Sequence, residues 1–425
     1  MSTKRWVYAA VAALVAGAGV TVAATHSGGG RAVDTEAAEP AAATRPDGGR
    51  PPGTGAAAAV RPDGRRAAGA GAAASAAARP LRAGTGLYPR VVRLAHSGAA
   101  NGRVIASVVT FTGNAGLGSV YESTDAGRTF RQIGSIADSY GAAGKGACCG
   151  TLYELPRKVG TSPAGTLLWA AAFGRNVTPD RRMTIRLWRS LDHGRTWAYL
   201  STIATAKTAG GLWEPELTVS SDGRLVAFYS DETDSRHSQK IVRVRSSDGR
   251  TWTGRTDTVA FTAKAERPGM PVVRRLPNGH YVMSYEACGS RKCEVRLRTS
   301  ANGWSWGKAT TPGTRPSVGG RHFAHAPTIA PRPDGSLLLV GQTLVTASGS
   351  AASGNGRTLF VGAKGGAGTW RAVTAPVAVP DARNDYCPNY SSALLPAAKG
   401  TSVLEIATDY AGTVCTPYFA TAATG

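Results

Sequence analysis

Ser123-Thr-Asp125-Ala-Gly127-Arg-Thr129-Phe130 and Ser190-Leu-Asp192-His-Gly194-Arg-Thr196-Trp197 follow one pattern, Ser-x-Asp-x-Gly-x-Thr-aromatic. Shortened copies stand at Ser246-Ser-Asp248-Gly249-Arg-Thr251-Trp252 and Ser300-Ala-Asn302-Gly303-Trp-Ser305-Trp306, and Gly366-Ala-Gly368-Thr369-Trp370 is a worn fifth. Each reads as a turn in which Asp accepts backbone N–H bonds, Gly takes a left-handed angle and the aromatic packs beneath.

A second repeat runs in phase with the first. A turn ending in Gly precedes an apolar run of strand character six times, at Gly102, Gly165, Gly223, Gly279, Gly335 and Gly400, spaced by 63, 58, 56, 56 and 65 residues. Asn-Gly and Asp-Gly pairs supply the positive φ that a tight hairpin needs. A strand run also precedes each turn: Val91-Val92, Thr151 to Tyr153, Leu217 to Val219, Val272-Val273, Thr328-Ile329 and Ala393 to Leu395. A four-stranded blade needs roughly 40 to 50 residues, so the pattern predicts an all-β, six-bladed propeller over residues 86–425, closed radially so that few edges stay exposed. No long amphipathic helix competes with this reading.

Outside the repeats the chain changes character. Lys4-Arg5 and the apolar stretch Trp6 to Ala24 read as an export signal over residues 1–27, with Val22, Ala23 and Ala24 suited to signal peptidase; an uncleaved anchor is the alternative. Residues 28–85, rich in Ala, Gly, Pro and Arg, lack the apolar side chains to offset folding entropy and read as a disordered linker. The protein is therefore expected outside the cell, secreted or tethered to membrane or cell wall through its N-terminus.

The net charge of +22 comprises ten basic and five acidic residues before residue 85, which leaves +17 beyond it. Scattered arginines without a recognition motif argue against nucleic acid; attraction to anionic cell-wall polymer or solubility fits the excess better. An even number of cysteines, six, suits an oxidising compartment. Cys288 with Cys293 fits a strand end and Cys387 with Cys415 the last blade, leaving the neighbours Cys148 and Cys149 either bonded to each other or as thiols of unknown partner. No Cys/His spacing supports a metal, and no cofactor is called for.

In a propeller the first residues of each inner strand converge on one mouth of the channel. Those segments are Tyr88-Pro-Arg90, Cys148-Cys149-Gly150, Trp213-Glu214-Pro-Glu216, Arg267-Pro-Gly-Met270, His325-Ala-Pro327 and Asn389-Tyr390-Ser391, polar or special where a plain core wants Val or Ile. Two carboxylates facing one pocket suit glycoside hydrolysis, and Glu214 and Glu286, on adjacent blades among aromatic or apolar neighbours, are the best pair. The bland alternative is that each binds backbone or an arginine.

The in-phase turns resemble the Asp-boxes of sialidase-like propellers, where they are structural and lie away from substrate. Tyr88-Pro-Arg90, Trp213-Glu-Pro-Glu-Leu217, Ser221 to Leu225 running to Asp231, Pro268-Gly-Met270, Leu276-Pro-Asn-Gly running to Glu286, and Asn389-Tyr-Ser-Ser392 resemble the exo-1,5-α-L-arabinanases of glycoside hydrolase family 93. The resemblance spans most of residues 88–425 and is sharpest over 213–306. It implies a retaining exo-hydrolase that releases arabinobiose from the non-reducing end of linear arabinan, with Glu214 as nucleophile and Glu286 as acid/base; the chain is expected to be a monomer. It further implies that Arg90 and Tyr390 line the pocket, with Trp213 and Arg267 as additional sugar contacts, and His325 joins them as a substrate-binding candidate from its place at a strand head; Trp213 serves blade packing equally well, Arg267 fits a surface arginine and His325 a satisfied core histidine. Two rivals stand beside it: an exo-α-sialidase using Arg90, Arg267, Arg321, Tyr390 and Glu214, and a propeller that binds carbohydrate or protein without turnover.

Overall fold

The computed structural model describes residues 77–113 and 115–424; the export signal and nearly all of the expected linker lie outside them. Six sheets share the described chain, four with four strands in simple sequence order. Blade 1 holds Leu87–Arg93, Val104–Thr112, Ala115–Ser123 and Arg131–Ile136; blade 2 holds Ala147–Glu154, Leu167–Phe173, Thr184–Ser190 and Ala198–Thr205. Blade 3 runs Leu212–Val219, Leu225–Asp231, Lys240–Ser246, Thr253–Val259, and blade 5 runs Thr328–Pro331, Leu337–Val340, Thr358–Gly362, Trp370–Thr374. Blade 4 begins with Arg267–Arg275, Tyr281–Cys288 and Glu294–Ser300, then departs from the repeat, since His322–Ala324 and Thr343–Val345 extend it to five strands.

Blade 6 closes the circle. Its three C-terminal strands, Ala393–Pro396, Ser402–Ala411 and Val414–Ala423, take their outer partner from the other end of the chain, Arg79–Pro80, with Arg79 opposite Phe419. The propeller thus starts inside the stretch read as linker. The reason is apolar: Leu81 is buried in the same cluster as Val91, Val104, Ile406 and Phe419.

The core is divided rather than central. One cluster fills each of the six blade interfaces, for example Leu168, Ala170, Leu217 and Ala227 between blades 2 and 3, and Val226, Phe228, Val273 and Met283 between blades 3 and 4. Leu225 and Ala227 pack toward one neighbour while Val226 and Phe228 pack toward the other, as the two-residue period of a strand buried on both faces requires.

Both repeats of the sequence sit at one end of the blades. The six turn glycines join first and second strands at φ between 72° and 89°. Where Gly223, Gly279, Gly335 and Gly400 donate their N–H to the carbonyl three residues earlier, the preceding Asp, Asn or Lys keeps a negative φ, so only the glycine needs the left-handed region. The Asp-box turns join third and fourth strands. Ser123 Oγ donates to Asp125 and accepts from Gly127 N, while Asp125 Oδ1 accepts from Arg128 N and Thr129 N at 3.0 and 2.9 Å; Ser190-Asp192 and Ser246-Asp248 repeat the scheme. Antiparallel alternation puts these turns at the opposite end from the heads of the inner strands, the expected position for structural boxes. Asp192→Ala removes the acceptor of Ser190 Oγ, Arg195 N and Thr196 N and is expected to cost about 2 kcal/mol in denaturant unfolding.

Glu405, on the second strand of blade 6, is buried and accepts from Val377 N at 3.0 Å. Burial pushes its carboxyl up to about 8. An acid whose folded value is raised binds its proton more tightly when folded, so stability falls as pH rises from about 5 through about 8. Glu405→Gln should flatten that slope and raise the melting temperature above pH 8; an unchanged pH profile would contradict it.

Candidate active site

The inner strands open in a shared irregularity. The ladder to the second strand slips between Leu87 and Arg90, Cys148 and Thr151, Trp213 and Glu216, and Gly269 and Val272. One residue in each slip takes a positive φ: Tyr88 at 54°, Cys149 at 62°, Glu214 at 52° and Met270 at 55°, with Ala326 at 43° and Ser391 at 56° at the matching places in blades 5 and 6. These are β-bulges, which re-aim a side chain where a regular strand points it into the sheet. Pro89, Pro215, Pro271 and Pro327 follow four of the six; proline donates no ladder bond and belongs at bulges. In blade 2 the matching residue is Gly150, where an added Cβ would lie 2.7 Å from the Trp169 indole.

The bulge residues meet at the axis. Tyr88, Cys149, Met270 and Ala326, from four different blades, form one buried cluster with Leu87, Cys148 and Tyr390 against it. Glu214 is the one carboxylate in this ring of six, and it is buried. Its Oε2 accepts from Ser230 Oγ at 2.6 Å and from Met270 N at 3.2 Å, a grip from its own blade and from the next. Burial raises the Tyr88 hydroxyl well above the ordinary phenol range, with the Arg90 guanidinium opposing and the Glu214 carboxylate adding to the rise.

One strand outward, the residues facing the bulges are Val109, Ala172, Ser230, Glu286, Gln342 and Thr408. Glu286 pairs with Gly269 in the ladder, and an added Cβ there would collide with the Gln239 amide 2.1 Å away, so glycine is required. The buried Glu286 accepts from Ala326 N at 3.1 Å, and His325 Nδ1 stands 3.9 Å from its Oε2. Each carboxylate is thus anchored by the bulge of the following blade: Glu214 by Met270, Glu286 by Ala326.

The remaining residues divide. Arg90 lies over the Tyr88 ring at 4.1 Å, donates to the carbonyls of Pro89 and Ser391, and is buried. Tyr390 stands 6.2 Å from Tyr88, centroid to centroid. Tyr390 lines a small cavity with Tyr88, Leu87, Cys148 and Cys149, whereas Arg90 lies behind the Tyr88 ring. Trp213 is buried in the core between blades 2 and 3. Arg267 donates to Glu232, to Gln239 Oε1 at 2.8 Å and to the Ser238 carbonyl. Arg321 donates to the Ser353 carbonyl; the three arginines a sialidase reading needs are each committed to a different partner. Glu216, close to Glu214 in sequence, bonds Thr151 Oγ1 at 3.1 Å and the Arg274 guanidinium. Asp231 is taken by Arg255 and Thr233. Ser230 lies in the stretch running to Asp231 without being singled out in the sequence, and its contact with Glu214 needed the fold.

All three disulfides are formed, Cys288–Cys293, Cys387–Cys415 and the neighbours Cys148–Cys149. His325 lies near the sulfurs of Cys288 and Cys293, but sulfurs bonded to each other offer no thiolate to a metal.

Buried Glu216 and Glu214 are expected to differ on substitution. Glu216→Gln leaves Arg274 without its carboxylate and should lower unfolding free energy by about 3 kcal/mol, whereas Glu214→Gln keeps an acceptor for Ser230 and Met270 and should cost about 1 kcal/mol or less. Equal losses in denaturant titrations would contradict the separation of roles.

The sequence profile of the BNR repeat-like domain matches residues 165–383. No curated protein sequence matches the chain. Among solved structures, the Penicillium chrysogenum α-L-arabinanase complexed with arabinobiose is similar at 25% identity and a TM-score of 0.69, over 82% of this chain and 98% of that one. The GH93 α-L-arabinofuranosidase of Fusarium graminearum, solved with arabinobiose, shares the fold at 21% identity and a TM-score of 0.64, over 82% and 98%. The Hadza microbial sialidase Hz136 shares it more distantly, at 16% and 0.53 over 82% and 68%. The family 93 resemblance read over most of residues 88–425 is matched by likeness across the whole propeller, and the chain belongs to the BNR repeat-like domain family.

Proposed function

We propose that this chain is an exported, retaining exo-glycosidase that acts on arabinan from the non-reducing end and releases arabinobiose, with Glu214 as nucleophile and Glu286 as acid/base. Glycoside hydrolysis on a sialidase-like propeller is the coarser statement, carried by the likeness to the arabinanase. The observation that carries the finer one is the paired anchoring of two buried carboxylates at one mouth, Glu214 on Met270 N and Ser230 Oγ, Glu286 on Ala326 N.

The chemistry follows from those anchors. Two donors on one oxygen fix the Glu214 carboxylate in a single orientation, as attack on an anomeric carbon requires. Glu286 donates its proton to the departing glycosidic oxygen while the Glu214–sugar bond forms and the glycosidic bond breaks. It then removes a proton from the water that cleaves the glycosyl-enzyme, returning both groups to their starting states. Tyr390, Tyr88 and the Cys148–Cys149 pair offer apolar surface to the sugar ring, and buried Arg90 beneath Tyr88 stiffens that wall. Arg267, tied to Glu232, orients the rim of blades 3 and 4, and His325 flanks the acid/base.

Incubation with linear arabinan should yield arabinobiose by chromatography, and Glu214→Gln or Glu286→Gln should lower the rate by about three orders of magnitude or more. Sialic acid released from a sialoside, or sugar binding without turnover, would overturn the assignment.

A further inference from the structure

A second cavity opens at the same end of the propeller. It is a cleft of about 650 Å³ that shares His325 with the site. Its walls come from the turn between the second and third strands of blade 4, the blade 4 extension, and the segment leading into blade 6. Arg291, Lys292, Arg296, Arg315 and Arg383 line it, against a single lining carboxylate, Glu294.

That carboxylate is shared. Glu294 accepts from Arg296 Nε at 2.9 Å and from Arg315 Nη1 at 3.1 Å, with Arg291 Nη1 at 3.6 Å. One negative charge among three guanidiniums leaves a net excess. Among the described residues Lys292 Nζ meets only a neutral acceptor, the Ser348 carbonyl at 3.3 Å, and Arg383 holds Asp385, outside the lining, at 3.4 Å. The Cys288–Cys293 bond pins the turn that presents Arg291 and Lys292. His322, buried in the cleft wall, is held below the ordinary imidazole range by burial and then by Arg315, so the field reaches the wall. A concave surface of one sign concentrates counter-ions, and guanidiniums match carboxylate and phosphate oxygens in geometry.

We infer that this cleft is a subsite for an anionic group, a carboxylate or a phosphate ester, on the part of the glycan that leaves the active site. The direction rests on the reading of Glu286 as acid/base: the cleft begins at His325, on the Glu286 side, where the leaving group departs. The natural substrate is then an arabinan that carries an acidic group on the side of the cleaved bond that leaves.

The test is equilibrium binding of an oligogalacturonate, of inorganic phosphate and of a neutral linear arabino-oligosaccharide to the full chain at low salt. The variants are Lys292→Gln/Arg315→Gln/Arg383→Gln and a charge-matched control on the opposite end, Arg128→Gln/Lys158→Gln/Arg250→Gln. The wild type is expected to bind at least one anion, and the cleft triple to lose that affinity by about tenfold while the control stays within about twofold. Lys292→Gln alone, at an exposed side chain, should give about a twofold loss and guards against misfolding of the triple. Weakening by phosphate and oligogalacturonate together marks a general oxyanion site; loss for oligogalacturonate alone marks a uronate. No anion bound by the wild type, or equal losses in the two triples, would overturn the inference. Failure of the hydrolase reading looks different: anion binding follows the cleft triple, yet no glycosidic bond is cut in any of these glycans.

Discussion

A left-handed residue at the head of every inner strand is the constraint from which the site follows. Six left-handed residues head the inner strands, four of them in ladder bulges, and four of the six side chains meet in one buried cluster. Non-glycine residues in that region cost of order 1 kcal/mol each. The cost is sustained because apolar clusters fill all six interfaces and leave the strand heads no alternative register. A one-residue slip would move Leu217 and Val219 together from the interface between blades 2 and 3 to the opposite face of their strand.

Within that ring, chemistry is a matter of which residue each blade supplies. Five blades contribute Tyr88, Cys149, Met270, Ala326 and Ser391; blade 3 contributes Glu214. In the next layer outward Glu286 stands where its neighbours carry Val, Ala, Ser, Gln and Thr. Two substitutions on a repeated scaffold therefore bring two carboxylates to one mouth, and the scaffold binds each of them with an N–H from the following blade. The face carrying the Asp-boxes and glycine turns holds strand ends together at the opposite end of the propeller from the two candidate carboxylates.

Much of this was legible in the chain. Asp-boxes and turn glycines repeat at local positions with fixed φ or fixed acceptors, and local demands leave local marks. Glu214 and Glu286 stood out as candidates because a charged residue inside an apolar strand run is conspicuous, and their burial is what the structure adds. The extra strands of blade 4 and the closing strand at Arg79–Pro80 were not, since a two-residue strand pairing with Phe419 from the opposite end of the chain has no periodicity to read. Ser230 and the basic cleft depend on contacts between residues far apart in sequence. The x-Pro step at Tyr88, Glu214, Met270 and Ala326 was a signal of the shared bulge in plain sight, recognisable once four strand heads are laid side by side.

The central claim is that Glu214 attacks the anomeric carbon. Glu286→Gln protein, slowed in the second step, is incubated with an activated aryl α-L-arabinofuranoside, digested, and its peptides weighed by mass spectrometry. The account predicts one pentosyl unit on the peptide that contains Glu214. A pentosyl unit on another residue, or turnover with inverted anomeric configuration and no adduct, would contradict it.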